Sequence, residues 1–200
     1  MSPERIVEVA RRLIETGGVD ALSMRKLAAE LGVAPTAIYW HVGGRDDLLH
    51  AVLDQLIAET PPIRARGDTP RARVASVARA IRRQVRTDPV QFQLAQLLDR
   101  NPDVSFPGQL ALAREISAAG LRGDDAADAV RAVLFLVGGF QLLEGNFRRR
   151  PAGAPTAQER WRAIDDDSID AALRDALTSD VDTDALFDYA LDALLRSILP

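Results

Sequence analysis

The chain has 200 residues, 47% of them hydrophobic, no cysteine and a formal net charge of −4. This size and apolar content suffice for one ordinary domain, or for a small domain joined to a larger one. The lack of cysteine excludes disulfides, thiolate metal sites and a cysteine nucleophile. The negative net charge argues mildly against a protein coated in nucleic acid, although local patches decide phosphate binding.

The hydropathy of the chain indicates the cellular compartment in which we expect the protein. The first residues lack the apolar core of a signal peptide. The longest apolar run, residues 132–140, falls well short of the roughly 20 residues that span a bilayer. We therefore expect a cytoplasmic protein without a membrane span.

The N-terminal stretch predicts short helices separated by glycine. Apolar residues recur at helical spacing over residues 3–16, and Gly17 and Gly18 end that helix. Ser23 is a suitable N-cap for a second helix, which Gly32 ends. Pro35 suits the first turn of a third helix. Two helices joined by so short a turn cross steeply, which predicts a helix-turn-helix.

The outer face of the third helix is unusual for a solvated surface. Ile38 and Val42 lie one turn apart and should face inward, which leaves Tyr39, Trp40 and His41 outside. Tyr and His can donate to phosphate, and Trp can pack on sugars and base edges. This favours a surface that lies in a DNA groove. The alternative is that Tyr39 and Trp40 cap a core.

Residues 5–57 resemble the DNA-binding domain of the tetracycline-repressor (TetR) family of bacterial regulators. The most specific part is Leu31-Gly32-Val33, followed by residues 38–42 and Leu48-Leu49. The resemblance implies an all-α fold. An N-terminal three-helix helix-turn-helix DNA-binding domain, residues 1–46, would precede a larger C-terminal helical ligand-binding and dimerisation domain, residues 47–200. A helix from about residue 46 to residue 59 would connect the two.

The resemblance also implies which residues contact DNA. Arg25 would reach a base edge or phosphate. Pro35, Thr36, Ala37 and Trp40 would line the major groove, and Tyr39, His41 and Arg45 would hold phosphates. Ala34 and Ala37 depart from the polar residues that members often carry, so base recognition would rely on Arg25, Thr36 and Trp40. The predicted DNA-contacting residues are Arg25, Lys26, Pro35, Thr36, Ala37, Tyr39, Trp40, His41 and Arg45.

The remaining chain predicts only helices. Asp46 is a suitable N-cap for the connecting helix, and prolines at 61 and 62 open a linker that reaches residue 70. Breaks are expected at residues 101–102 and 107–108, and a mobile loop at residues 148–167. Arginines 148–150 in that loop are either a phosphate site or a solvated helix end. The predicted helices span residues 71–87, 89–100, 109–119, 124–148 and 183–199.

The apolar pattern of two of these helices predicts contact with a partner chain. Residues 129–143 are apolar nearly all round, and the last helix has a wide apolar stripe. The resemblance implies that two copies build a four-helix bundle from these helices. The alternative is the ordinary core of a monomer. The predicted interface residues are Val133, Val137, Phe140, Leu191, Leu194, Leu195 and Ile198, and position 187 of the last helix is not among them.

No catalytic pattern is evident in the sequence. The two histidines, His41 and His50, lie in or beside the predicted DNA-binding head, and there is no glycine-rich phosphate loop. We expect no enzyme, no metal and no cofactor.

The family resemblance implies a small-molecule pocket between the C-terminal helices. Each candidate could equally be plain core or surface. Leu143-Glu144 echoes the tetracycline-binding members, but their metal-linked histidines have no counterpart here, which argues against magnesium-tetracycline. The candidate ligand-binding residues are Phe92, Gln96, Phe135, Gln141, Glu144 and Phe147.

These patterns favour a homodimeric transcriptional regulator, a repressor that an unknown small molecule releases from a palindromic double-stranded DNA operator. One alternative is a helical ligand-binding or scaffold protein whose helix-turn-helix contacts protein. Another is a DNA-binding activator without a ligand.

Overall fold

The computed structural model describes residues 2–148, 153, 155–166 and 168–199, and the side chains of residues 145–148 are not described. The described residues form helices and no strand. A single 3-10 turn, Val19–Ala21, separates the first two helices. The helices are α1 Pro3–Gly17, α2 Met24–Leu31, α3 Pro35–Val42, α4 Arg45–Glu59, α5 Pro70–Thr87, α6 Pro89–Leu97, α7 Asn101–Ala118, α8 Gly123–Arg148, α9 Ala157–Ala163, α10 Ala171–Ala176 and α11 Thr183–Ile198.

Side-chain caps fix the start of several helices. The hydroxyl oxygens of Ser2, Ser23 and Thr69 each accept a hydrogen bond from the backbone N–H three residues on, at 3.4, 3.2 and 3.1 Å. Each bond satisfies an N–H that the first helical turn leaves without a partner. At α4 the cap is Gly44 rather than the predicted Asp46, and its N–H donates to the carboxylate of Asp47 at 2.8 Å.

Two predictions about the C-terminal part were wrong. Helix α7 continues through Pro107, where a break was expected, because an exposed proline removes only one helical hydrogen bond and packing holds the rest. The expected loop at residues 148–167 contains helix α9, which begins with a capping box of Thr156 and Glu159. The residues of that segment outside the described ranges, including Arg149 and Arg150, are not assigned.

The buried side chains form two clusters. The first holds α1 to α4 together, and α4 also packs on Leu94 and Ala95 of α6. The second lies between α5, α7, α8 and α11, with Leu112, Phe187 and Leu191 fully buried. We call the α1–α4 part the head and the rest the body. Helix α4 is therefore part of the head core and also its contact with the body.

A buried cation joins three helices of the body. Arg82 of α5 is 5% exposed and forms ion pairs with Glu144 of α8 and, at 2.8 Å, with Asp184 of α11. Its guanidinium carbon lies 4.4 Å from the ring centre of Phe187 and 5.5 Å from that of Phe140. Charged hydrogen bonds and ring faces offset part of the desolvation of the guanidinium, whose Nε has no hydrogen-bond partner among the described residues.

Helix α8 is buried on one side only. Its side chains Ala129, Val133 and Val137 lie in the body core, whereas Phe135 is 80% and Leu142 67% exposed. By length and composition alone, Gly123–Glu144 could cross a membrane, which differs from the expectation above. Since its buried side packs on α5, α7 and α11, we assign this helix to the body.

The burial pattern corrects the predicted interface. Four of its residues are 3% exposed or less within their own protomer, namely Val133, Val137, Leu191 and Leu195. They form the body core and present no surface to another chain. The other three pack partly buried against the same core, namely Phe140, Leu194 and Ile198. The apolar stripe was correctly located on α8 and α11, but its buried side was mistaken for the outer side.

Candidate nucleic-acid interface

The turn between α2 and α3 fixes the position of α3. Gly32 has φ 68°, a left-handed conformation that glycine adopts at little cost. The N–H of Val33 donates to the carbonyl of Ala28 at 3.0 Å, which closes the end of α2. Pro35 then occupies the first turn of α3, where its missing N–H costs nothing.

Few buried side chains hold the two helices in the head. Leu27 and Ala28 of α2 and Ile38 of α3 are 2% exposed or less. They pack in one cluster with α1 and with Leu48 and Leu49 of α4. Because only Ile38 of α3 is fully buried, the remaining faces of this helix are free for contact.

The exposed face of α3 carries large aromatic side chains. Trp40 is 89% exposed and Tyr39 51% exposed, and Thr36 and His41 also lie on the surface. The α3 surface is therefore neither a core cap nor an ordinary charged face. Exposed aromatic and hydroxyl groups on a protruding helix are suited to base edges, sugars and phosphates.

Two cations of α2 extend this surface. Arg25 and Lys26 are exposed, and within the described residues neither forms an ion pair or a side-chain hydrogen bond. The nearest acidic residue of α2, Glu30, faces Arg12 of α1 at 3.6 Å. Both cations are therefore available to an anionic partner. Pro35 is exposed and Ala37 half-buried at the start of α3.

The structure gives Arg45 a different role from the predicted one. Its guanidinium donates to the carbonyls of Leu22 and Val19, both at 3.1 Å. These carbonyls lie in the connection between α1 and α2, and that of Val19 also accepts a hydrogen bond from the N–H of Leu22 at 3.2 Å. Arg45 therefore ties the start of α4 to this connection, and it is not a free phosphate contact.

The predicted ligand residues do not come together in one cavity. Glu144 is neutralised by Arg82, and the amide of Gln141 donates to the carbonyl of Arg82 at 2.9 Å. Phe135 is 80% exposed, Gln96 is exposed and Phe92 half-buried. The side chain of Phe147 lies outside the described residues. The functional groups of Gln141 and Glu144 thus have structural partners that the sequence did not show.

Two clefts flank α5 instead. One, of about 460 Å³, lies between α5 and α11, and the other, of about 570 Å³, lies between α5 and the linker before it. None of the five predicted ligand residues with described side chains lines either cleft. Sequence reasoning missed these clefts, although the arginine-rich outer face of α5 was a signal.

Comparison with protein families matches the head. Residues 6–52 match the model for bacterial regulatory proteins of the tetR family. An HTH-type transcriptional repressor of Mycobacterium tuberculosis is 34% identical over 175 residues, which cover 82% of this chain and 66% of the relative. The chain thus spans slightly less than two thirds of that relative's length. An HTH-type transcriptional regulator of Saccharopolyspora erythraea is 30% identical over 88% of this chain and 69% of its own length.

Solved structures match the whole chain. The TetR-family protein ActR of Streptomyces coelicolor, crystallised with (S)-DNPA, is 26% identical with a TM-score of 0.65, covering 100% of this chain and 97% of its own. BioQ of Mycobacterium smegmatis has been crystallised, and BioQ has also been crystallised with its double-stranded DNA operator. In the operator complex BioQ is 25% identical to this chain. The TM-score is 0.56, with coverage of 99% of this chain and 98% of that one.

Proposed function

The chain belongs to the TetR family of bacterial regulatory proteins, and from this we propose that it is a homodimeric transcriptional repressor of the cytoplasm. It binds a palindromic DNA operator and leaves it when a small molecule binds. The observation that carries the proposal is the exposed face of α3, with Trp40 89% and Tyr39 51% exposed beside the unpaired cations Arg25 and Lys26.

The roles of these residues follow from their positions. Thr36 and Trp40 of α3 enter the major groove, where a helix fits and base edges are distinct, and Tyr39 holds a phosphate. Arg25 and Lys26 neutralise phosphates or, for Arg25, reach a base edge from the start of α2. Arg45 supports this surface from inside the head through its bonds to the α1–α2 connection.

Dimerisation rests on a second surface, which we call the α8–α11 face. Its exposed apolar side chains are Phe135, Leu142, Leu143, Leu186 and Tyr189. Gly138 and Gly139 lie between Phe135 and Leu142, and a Cβ added at either would meet no atom of the same protomer within 4 Å. A contiguous apolar surface of this kind is typical of a protein contact, and a second copy supplies a self-complementary one.

Release by a small molecule is supported by the family and by ActR, which has been crystallised with a ligand. A ligand shifts the protein between DNA-competent and DNA-incompetent states only by its differential affinity for them. In this chain α4 belongs to the head core and also contacts α6. It is therefore the element through which the body sets the position of each head.

Operator selection followed by quantitative binding tests the proposal. Genomic fragments retained by the protein at fixed salt are sequenced, and affinity for the selected site is then measured by fluorescence anisotropy. Trp40→Ala should weaken specific binding by about 1 to 3 kcal/mol because a groove contact is lost. Phe106→Ala is the matched control, since Phe106 is 59% exposed but lies on α7 of the body. Unchanged affinity in Trp40→Ala, or no selected palindrome, contradicts the proposal.

A further inference from the structure

Helix α5 carries an excess of positive charge that the proposed function does not use. It contains six arginines and no acidic residue. Arg73, Arg79, Arg82 and Arg86 form ion pairs with other helices. Arg83 is exposed and, within the described part of the chain, has no ion pair. It also follows Arg79 by one helical turn, an arrangement of like charges that disfavours a helix.

The linker between α4 and α5 folds back along this helix and forms the wall of a cleft. Gln84 of α5 donates through its side-chain amide to the carbonyl of Pro61 at 2.9 Å. The N–H of Arg66 donates to the hydroxyl oxygen of Ser76 at 2.7 Å. These bonds fix the linker near both ends of the 570 Å³ cleft. The cleft is thus built by ordered backbone and not by side chains alone.

Four arginines line this cleft, which we call the arginine cleft. Arg64 and Arg66 lie on the linker side, and Arg79 and Arg83 on the α5 side. The one acidic lining residue is Asp88. Arg79 is paired with Asp188 at 2.7 Å, whereas the described residues provide no ion-pair partner for Arg64, Arg66 or Arg83. A concave surface lined by one sign of charge concentrates anions, even on a protein whose net charge is −4.

Four of the other lining residues are apolar, and they limit the class of ligand. Ile63 and Ala80 lie in the cleft beside the prolines that open the linker. The volume is that of a small-molecule site. A guanidinium binds carboxylate, sulfonate or phosphate through parallel hydrogen bonds. We propose that the arginine cleft is an effector site for a small organic anion with an apolar body, which places its acidic group between Arg64 and Arg83.

The position of the cleft gives the ligand a route to the head. The linker begins where α4 ends, and α4 lies in the head core. An anion that holds Arg64 against Arg83 restrains the linker and so the C-terminal end of α4. This part of the inference rests on the proposed function, because it takes effect only if the heads bind DNA.

Direct binding of a fluorescent anion tests the site without DNA. The probe is anilinonaphthalene sulfonate, which has an apolar body and one acidic group, and N-phenylnaphthylamine is its uncharged counterpart. Arg64→Gln/Arg83→Gln should weaken sulfonate binding about tenfold, since charged hydrogen bonds to the acidic group are lost, and leave the amine unaffected. Arg114→Gln/Arg160→Gln is the matched control, because both arginines are exposed on other helices.

The outcomes separate the site from the proposed function. Equal sulfonate affinity in the cleft variant and the control overturns the site, as does a wild-type protein that binds the uncharged amine as tightly as the sulfonate. Saturating sulfonate should weaken operator binding of the wild type at least about threefold and leave the cleft variant unchanged. If saturating sulfonate leaves the operator affinity of the wild type unchanged, the effector role is wrong. Failure of the unliganded protein to bind any operator instead contradicts the proposed function and leaves the binding test of the site intact.

Discussion

At the residue scale, Arg45 shows that an arginine expected to bind DNA phosphate can instead hold the protein's own backbone in place. The family resemblance assigns this arginine to DNA phosphate, yet its guanidinium binds the carbonyls of Val19 and Leu22. These partners lie 26 and 23 residues earlier in the chain. A helical periodicity argument covers only neighbours within a few turns, so no local pattern could have shown this contact.

Arg45→Ala should therefore destabilise the head. Loss of its hydrogen bonds to two backbone carbonyls should lower the free energy of unfolding by about 1 to 3 kcal/mol. Urea denaturation followed by circular dichroism measures this change. Arg25→Ala serves as control, because Arg25 is exposed and should change stability by less than about 0.5 kcal/mol. If Arg45→Ala unfolds at the wild-type midpoint but binds all DNA sequences more weakly, the phosphate role is correct instead.

The outer face of α3 could be predicted from the sequence because it depends on spacing alone. Ile38 and Val42 set the inner side, and Tyr39, Trp40 and His41 then follow on the others. The structure agrees, with Ile38 fully buried and Trp40 89% exposed. The ligand candidates were less predictable, because the partners of Gln141 and Glu144 come from α5, some 60 residues away.

At the scale of secondary-structure elements, tertiary packing determines whether a proline or a glycine interrupts a helix. Pro107 suggested a break, but α7 is continuous and the next residue, Gly108, is buried against α5. A Cβ at position 108 would lie 3.0 Å from the side chain of Ile81. Gly108 thus permits α7 to approach α5 closely. Sequence spacing located the described helices other than α9, α10 and the first two turns of α7, but it could not show which breaks tertiary contacts would override.

The contact of α11 with α5 predicts a dependence of stability on pH. Asp184, in the first turn of α11, accepts a hydrogen bond from Arg86, and this bond, with the charge of Arg82, lowers the pKa of Asp184 from its ordinary value of 3.8. The ionised form is therefore favoured in the folded state. Its contribution to stability is present above the unfolded-state pKa and is lost as pH falls through the folded-state pKa.

Asp184→Asn should lower the thermal midpoint at neutral pH, and the difference from wild type should shrink as pH falls below 3.8, the ordinary pKa of this carboxyl. Thermal unfolding followed by circular dichroism across this range measures the difference. Asp175→Asn is the control, since Asp175 is exposed on α10. A deficit of equal size at neutral and acidic pH would show that the ion pairs of Asp184 do not account for the effect.

At the scale of the whole molecule, DNA recognition depends on how many heads act together. One head exposes a single short recognition helix, α3, of eight residues. A two-fold dimer would place two such helices about 34 to 36 Å apart, one turn of DNA, and so read a palindrome. In the proposed dimer the α8–α11 face is the apolar surface of this pairing, and its exposed residues alternate with those that fill the body core.

Phe135→Asp should therefore separate the protein into monomers and weaken operator binding. Phe135 is 80% exposed in the protomer, so the substitution leaves the body core intact while it places a charge in the interface. Sedimentation velocity should show the monomer, and anisotropy should show loss of at least about tenfold in operator affinity, because binding of the second head is no longer intramolecular. Leu97→Asp is the matched control, since Leu97 is 58% exposed on α6, away from the α8–α11 face. A Phe135→Asp protein that stays dimeric would place the interface elsewhere, and a monomer with wild-type operator affinity would contradict recognition by paired heads.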